Sequence, residues 1–200
     1  IAEAGGFVSS PIYASASGTV KAIEPRRVAV GDMVNSIVIE NDGAFEEVSY
    51  TPCEDVTALS KEEIIGKVKE AGVVGMGGAG FPTHVKVSPK DPSAIDHILV
   101  NGAECEPLLR VDQQLMEFYP DDVIRGFEMA GRLVGADQAI IGIKGKHKDV
   151  IAILEERIQA LGFSDYVKIG ILPDMYPAGD EQVLVYETTG RIVPEAGIPI

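Results

Sequence analysis

The feature that most constrains the fold is a change of hydrophobic period that repeats along the second half of the chain. Ile95-Asp96-His97-Ile98-Leu99-Val100 is a short apolar run ending in Asn101-Gly102. A helical pattern follows from about Asp121 to Leu133, then an apolar run at Gln138 to Ile143, a helical pattern from about Lys148 to Leu161, and a run at Tyr166 to Leu172. Short apolar strands alternating with helical segments predict an α/β layer around a largely parallel sheet. A last helix is expected from near Gly179 to Gly190, where glycine serves as the C-cap.

The opening residues obey a different rule. Gly6 to Val8, Pro11 to Ala14, Gly18 to Ile23, Arg27 to Val30 and Ser36 to Glu40 read as short strands. Ser17-Gly18, Gly31-Asp32 and Asn41-Asp42-Gly43 punctuate them as turns. Ser60 with Glu63 then forms a capping box, and Ile64, Ile65 and Val68 supply the apolar face of a helix that stops at Gly72. The expected organisation is a β segment over 1–45, a linker over 46–59 and an α/β domain over 60–200.

Charge excludes one class of partner. With 31 acidic against 17 basic residues the net charge is -14, which repels the phosphate backbones that nucleic-acid binders neutralise with Lys and Arg. No apolar run approaches the roughly 20 residues that span a bilayer, so the chain itself is expected to be soluble. Cys53 and Cys105 are too far apart for a Cys-x-x-Cys site and too few for a disulfide framework. A reducing setting suits them. His84, His97 and His147 show no metal-ligand spacing.

Three stretches carry candidate chemistry. Gly72 to Thr83 packs five glycines into nine positions, leaving backbone N–H groups open to an anion. Gly75 to Gly80 satisfies G-x-G-x-x-G, but it follows a helix rather than a strand and meets Pro82, which disfavours an ordinary Rossmann dehydrogenase. The second stretch, Asn101 to Pro107, sits where a strand of an open α/β sheet delivers its ligand. Met175 to Gln182 is the third, with Asp180 and Glu181 either capping the last helix or accepting hydrogen bonds from a ribose.

Together these stretches resemble, in order, the RnfC component of the Rnf electron transport complex and, more distantly, the FMN-bearing component of respiratory complex I. Gly-x-Gly-Gly-Ala-Gly-Phe-Pro-Thr followed by Lys86 is similar to the nucleotide loop of those proteins, with Met76 as in Rnf chains where complex I relatives carry arginine. Asn101, Glu104 and Glu106 match the acidic loop, while Ala103 and Cys105 depart from the complex I version and agree with the Rnf one. Tyr176, Gly179 and Glu181 match the second acidic turn, and Asp180 replaces a glutamate. Ile12 to Val20 also looks like the hairpin of biotinyl and lipoyl carrier domains. On that register the modified lysine falls on Phe7 and Lys21 lies past the turn, which leaves a β barrel-sandwich hybrid without a swinging arm.

The resemblance implies a barrel-sandwich piece followed by a Rossmann-like flavin and NADH domain. By it, Gly75, Gly77 and Lys86 contact FMN, and Gly77, Gly78, Ala79, Phe81 and Lys86 line the NADH path. Phe81 either stacks on a nucleotide base or anchors the loop in a core. Asn101, Glu104, Tyr176, Gly179 and Glu181 complete the cofactor contacts, with Glu104 and Glu181 expected to act on NADH. The implied activity is NADH dehydrogenation within a larger complex at the cytoplasmic face of the cell membrane. Its partners are other Rnf-type membrane and iron–sulfur subunits and, indirectly, ferredoxin. The [4Fe–4S] cluster motifs are expected only beyond Ile200, and the piece alone is expected to be inactive. Two alternatives stay open: an RnfC-like electron carrier for proline reductase, and a non-catalytic adaptor that keeps the fold without flavin.

Overall fold

The computed structural model describes residues 1–76 and 80–197. The chain divides into two compact units, Ile1–His84 and Val85–Ile200. Compactness thus groups the first helix and the glycine loop with the β segment, whereas their sequence pattern groups them with the α/β domain.

In the first unit, β1 (Gly18–Arg27) and β2 (Met33–Asn41) form an antiparallel hairpin, with an irregularity in register between Val20 and Ala22. The turn closes where Val28 donates to Asp32 at 2.9 Å and Gly31 takes a φ of +95°. Two long strands therefore replace the string of short ones expected. β1 runs unbroken through Pro25 to Arg27, because strand pairing outweighs the local break that proline suggests. Gly6 to Val8 forms no strand, and the Pro11–Ala14 stretch contributes only a bridge between Ile12 and Ala2.

α1 (Lys61–Glu70) has the predicted capping box, with Ser60 and Glu63 bonding each other's backbone N–H. Its far end closes as a Schellman motif, since Gly72 at φ +68° donates to Lys69 and Val73 donates back to Val68. A side chain at Gly72 would also meet the Tyr13 ring at 3.0 Å and the Pro11 carbonyl at 3.1 Å. A single helical turn, α2 (Thr83–Lys86), runs across the point of division.

The second unit is a three-stranded parallel sheet in the order β3 (His97–Asn101), β4 (Gln138–Lys144), β5 (Val167–Leu172). The first crossover carries α3 (Val111–Phe118) and α4 (Pro120–Val134), the second carries α5 (Lys148–Ala160), and α6 (Glu181–Thr189) follows β5. Ala139, Ile141 and Ile143 point to one face of β4, where they meet Ile124 and Phe127 of α4 and Val150, Leu154 and Ile158 of α5 in the main core. This is the period-two and period-3.6 matching that the sequence displays.

The opposite face belongs to α6, and there the sheet is shaved down to glycine. A Cβ on Gly142 would lie 2.5 Å from Leu184 Cδ1. On its ladder neighbour Gly170 a Cβ would lie 2.9 Å from Ile140 Cγ2 and 3.0 Å from Thr188 Cγ2. Gly190, at φ +71°, ends α6 as expected. α3 was not legible in the sequence: Arg110 offers no side-chain cap, and the capping carboxylate comes from Glu104, well outside the helix. Gly142→Ala is expected to push α6 off the sheet and to destabilise the chain by about 1–3 kcal/mol, as overpacking does; urea unfolding measures it, with α6 amides losing hydrogen-exchange protection first.

Candidate functional site

Three loops leave the carboxyl end of the parallel sheet, the edge where open α/β folds bind ligands. The loop after β3 begins at Asn101, whose amide is used twice. Its Nδ2 donates to the Gly179 carbonyl at 2.8 Å, and its Oδ1 accepts from the Ala103 N–H at 3.3 Å. Gly179 is also held from the other side, its N–H donating to Cys105 Sγ at 2.8 Å. A side chain at Gly179 would meet Cys105 Sγ at 3.0 Å and both Ala103 Cβ and Asn101 Oδ1 at 3.3 Å. Glycine is what lets the two acidic turns lock together. Beneath them Ala103, Ala178, Leu172 and Leu184 form a small core of their own, against which Cys105 packs.

The carboxylates divide their work. Glu104 sits at φ +40°, a strained position for a residue with a side chain. From there its two oxygens accept the backbone N–H groups of Asp112 and Gln113 at 3.1 and 3.2 Å, capping α3. Asp180 caps α6 by accepting from Gln182 and Val183 at 3.0 and 3.2 Å. Glu181 stands in the first turn of α6, exposed, with no hydrogen bond or ion pair among the described residues. Tyr176 is 71% exposed on the same turn. Burial, and secondarily the Glu104 charge, hold the Asp112 carboxyl above its ordinary range.

Between these turns, after β4, comes Lys144-Gly145-Lys146-His147, in which the sequence pattern drew attention only to a histidine without metal-ligand spacing. Four basic residues in the five positions from Lys144 to Lys148, at a strand's carboxyl end in so acidic a chain, were the available signal. His147 approaches Gln113, Nε2 to Nε2, at 3.2 Å. Its imidazole is held below the ordinary 6.5, first by burial and then by Lys146 and Lys144. Lys146 pairs with Asp174 at 2.7 Å and lowers that carboxyl.

In the first unit, the glycine loop is closed by its own backbone. Val74 bridges to Pro82, Gly75 donates to the Phe81 carbonyl at 3.0 Å, and Gly80, at φ +68°, donates to Gly75 at 3.1 Å. A Cβ on Gly75 would meet nothing nearer than 3.9 Å, and one on Gly80 nothing within 4 Å. Phe81 is half-buried. Gly77, Gly78 and Ala79 lie outside the described residues. Lys86, at the end of α2, is exposed in the second unit.

A cleft of about 140 Å³ lies beside Asn101, Gly102, Asp112 and Met116. Small-molecule pockets run roughly 300–1,000 Å³, so this cleft does not by itself enclose a flavin-sized ligand. No group of His, Cys, Asp and Glu among the described residues could hold a metal ion.

Two outcomes follow from the capping geometry. Glu104→Gln is expected to cost about 0.5–2 kcal/mol of stability through the weakened α3 cap and to bring the Asp112 carboxyl down toward its ordinary range, both readable by NMR titration and urea unfolding. Because the folded-state value of Asp112 is raised, its contribution is full below the unfolded carboxylate range and is lost as pH rises through the folded value. The Glu104→Gln stability deficit should therefore narrow as pH rises through the folded value of Asp112, where relief of repulsion offsets the lost cap. A deficit that widens there would contradict the arrangement.

Comparison with known proteins agrees with this geometry. Residues 68–200 match the family described as the Nuo51 FMN-binding domain, and residues 1–44 match the RnfC barrel sandwich hybrid domain. The chain is 38% identical over 200 residues to the RnfC-type component of the Na(+)-translocating ferredoxin:NAD(+) oxidoreductase complex of Acetobacterium woodii, covering all of this chain and 44% of the relative. It is 44% identical over 144 residues to the cobalamin reductase PduS of Citrobacter freundii, covering 72% of this chain and 30% of that protein. It thus spans less than half the length of these curated relatives. Among solved structures, an NAD+-reducing [NiFe]-hydrogenase in the air-oxidized state is similar, with a TM-score of 0.58 and 28% identity over 68% of this chain and 26% of the hydrogenase chain. With a parallel sheet whose carboxyl edge carries two interlocked acidic turns, the chain belongs to the Nuo51 FMN-binding domain family and is similar throughout to RnfC proteins.

Proposed function

We propose that the intact protein oxidises NADH through bound FMN and passes the electrons to iron–sulfur clusters, as the NADH-dehydrogenating member of an Rnf-type, ion-translocating complex. The observation that carries this reading is the lock at Gly179, which fixes two acidic turns at the ligand-binding edge of the sheet. It leaves Glu181 and Tyr176 exposed beside them.

The residues present suit a flavin nucleotide. The side-chain-free face of the glycine loop at Gly75 and Gly80 lets a nucleotide approach backbone. Gly75, Gly77, Gly78, Ala79, Phe81 and Lys86 are the proposed contacts there. Asn101, Tyr176 and Gly179 serve the flavin. Asn101 has one donor hydrogen and one lone pair left after its two bonds. When bound, the flavin accepts hydride from NADH and releases electrons singly, which no side chain of the protein can do. Glu181, exposed beside Tyr176 and without a partner among the described residues, is the carboxylate assigned to the NADH ribose or carboxamide. Glu104, expected to share that task, supports the turn by capping α3. The partners are the other members of the complex and, through them, ferredoxin, at the cytoplasmic face of the membrane. No helix among the described residues is long and apolar enough to cross a membrane.

One observation favours the adaptor reading instead. Ala103, which stands where complex I relatives place a carboxylate, is fully buried under the Gly179 lock and offers nothing to a ligand. Flavin absorbance of the purified protein, before and after adding FMN, separates the two readings; absence of any flavin binding would leave the adaptor. Within the flavoprotein reading, Glu181→Gln is expected to weaken NADH binding about tenfold, corresponding to about 1.4 kcal/mol. The flavin content should not change. The preference for NADH over NADPH should narrow, because the carboxylate repels the extra phosphate. Titrating both nucleotides against both proteins decides it, and flavin loss with unaltered nucleotide affinity would move Glu181 into the flavin pocket.

A further inference from the structure

We infer that the outer face of α3 is an interface for a second copy of this chain, which pairs with it helix to helix about a two-fold axis. α3 lies against α4 and α5, and its buried residues are Gln113 and Met116. Val111, Leu115 and Phe118 follow the i, i+4, i+7 spacing of a single helix face, on the side away from that buried pair. They are 58%, 47% and 65% exposed. Leu108, Leu109 and Tyr119 extend the stripe at its two ends, so six large apolar side chains stand in water between positions 108 and 119.

Elsewhere in the second unit the exposed apolar residues, such as Ile171 and Tyr186, come singly or as a neighbouring pair, which is ordinary for a protein surface. A contiguous apolar patch is not ordinary, and it marks a surface that something covers. Leu108 adds to this, being fully exposed while held at φ +67°, a left-handed conformation that disfavours a residue with a side chain.

The charges beside the stripe are self-complementary, which is what points to a second copy. Arg110 stands at the start of α3 and Glu117 in its last turn. Positions seven apart share one flank of a helix, yet these two are separated by about 10 Å along the axis, too far to pair with each other. An antiparallel approach about a two-fold axis near the middle of α3 brings Arg110 of each copy to Glu117 of the other. It also lays Val111 of each copy on Phe118 of the other and sets the two Leu115 side chains together at the centre. A parallel approach would set arginine against arginine and glutamate against glutamate, so the same charges reject it. In such an isologous contact one patch serves both partners, the commonest way in which soluble proteins associate.

None of these residues is among the proposed nucleotide contacts, so the inference stands apart from the proposed function. One short helix and its lead-in make a contact at the low end of specific interfaces. The dimer is therefore weak, with an expected dissociation constant in the micromolar range.

Sedimentation velocity of the intact protein, from micromolar to millimolar concentration, tests it. A monomer–dimer equilibrium is expected, with hydrogen exchange of residues 111–118 slowing as the dimer forms. Leu115→Glu should weaken association at least about tenfold. Arg110→Glu and Glu117→Arg should each weaken it as well, whereas an equimolar mixture of these two variants should associate again, because the mixed dimer restores both ion pairs with their signs exchanged. A protein that stays monomeric to millimolar concentration would overturn the inference. So would a dimer indifferent to Leu115→Glu, or a mixture of the two charge variants that associates no better than either alone. Protection of residues 111–118 in a protein that remains monomeric would give the face to another part of the chain, and protection that appears only on adding another member of the complex would give it to that member; both outcomes overturn the second copy. Flavin and NADH titrations of the wild-type protein decide the proposed function separately, whatever its oligomeric state.

Discussion

The close approach of α6 and its preceding turn to the parallel sheet is the constraint on which the second unit depends. Gly142 and Gly170, neighbours across the β4–β5 ladder, leave the space that Leu184 and Thr188 fill. Gly179, at the top of the same face, leaves the space in which Asn101, Ala103 and Cys105 close around the turn. Interiors are packed nearly as densely as organic crystals, so a methyl group at any of these positions must displace something. The helix seat and the ligand edge are thus one packing problem. A sheet without those glycines would hold α6 further out, and Gly179 would lose its grip on Asn101 and Cys105.

Charge is arranged on top of this packing with a clear division of labour. In a chain of net charge -14, the carboxylates nearest the ligand edge are mostly committed. Glu104 and Asp180 each complete a helix N-terminus, and Asp174 is held by Lys146. Each such carboxylate satisfies donors that would otherwise be left without a partner, and it does so at the cost of being less available to a ligand. Glu181 is left uncommitted because it sits one residue inside α6, where the Asp180 side chain has already taken the capping role, and Glu106 and Asp112 likewise have no side-chain partner among the described residues. Glu181 therefore stands out by its place beside the Gly179 lock rather than by any motif.

Much of this was legible in the sequence because it is written in local chemistry. The Ser60–Glu63 box, the Gly72 and Gly190 ends, and the strand and helix periods from Ile98 to Leu172 all depend on residues within a few positions of one another. What escaped reading depends on distant partners. The helix at Val111–Phe118 has its cap seven residues upstream of the helix start, on a residue held at positive φ. The strand through Pro25 is carried by pairing with β2. Lys144 reads in one dimension as one more solvated cation in a basic run; only the α6-side address of its β4 position reveals it as buried.

The same distinction bears on how the acidic loop should be understood. A motif that matches a family residue by residue says that the loop is present, yet it does not say which side chain faces outward. In Asn101-Gly102-Ala103-Glu104-Cys105 four of the five positions are spent on the loop itself. Asn101 and Cys105 hold Gly179, Ala103 fills the small core, and Glu104 caps α3. Gly102 is the fifth, and a Cβ there would lie 2.9 Å from the Gly142 carbonyl and 3.1 Å from Met116 Cε. It too is structural. A loop so fully bonded loses little conformational freedom when a ligand arrives, and that preorganisation is itself a contribution to affinity. The strain stored at Glu104 is consistent with this, because a left-handed φ at a residue with a side chain persists only where the surroundings over-determine it, and here two backbone N–H groups of α3 do so. The acidic loop is thus better regarded as the mould that holds the second turn, and Tyr176 and Glu181 as the exposed residues that the turn presents, the ones proposed to meet a nucleotide.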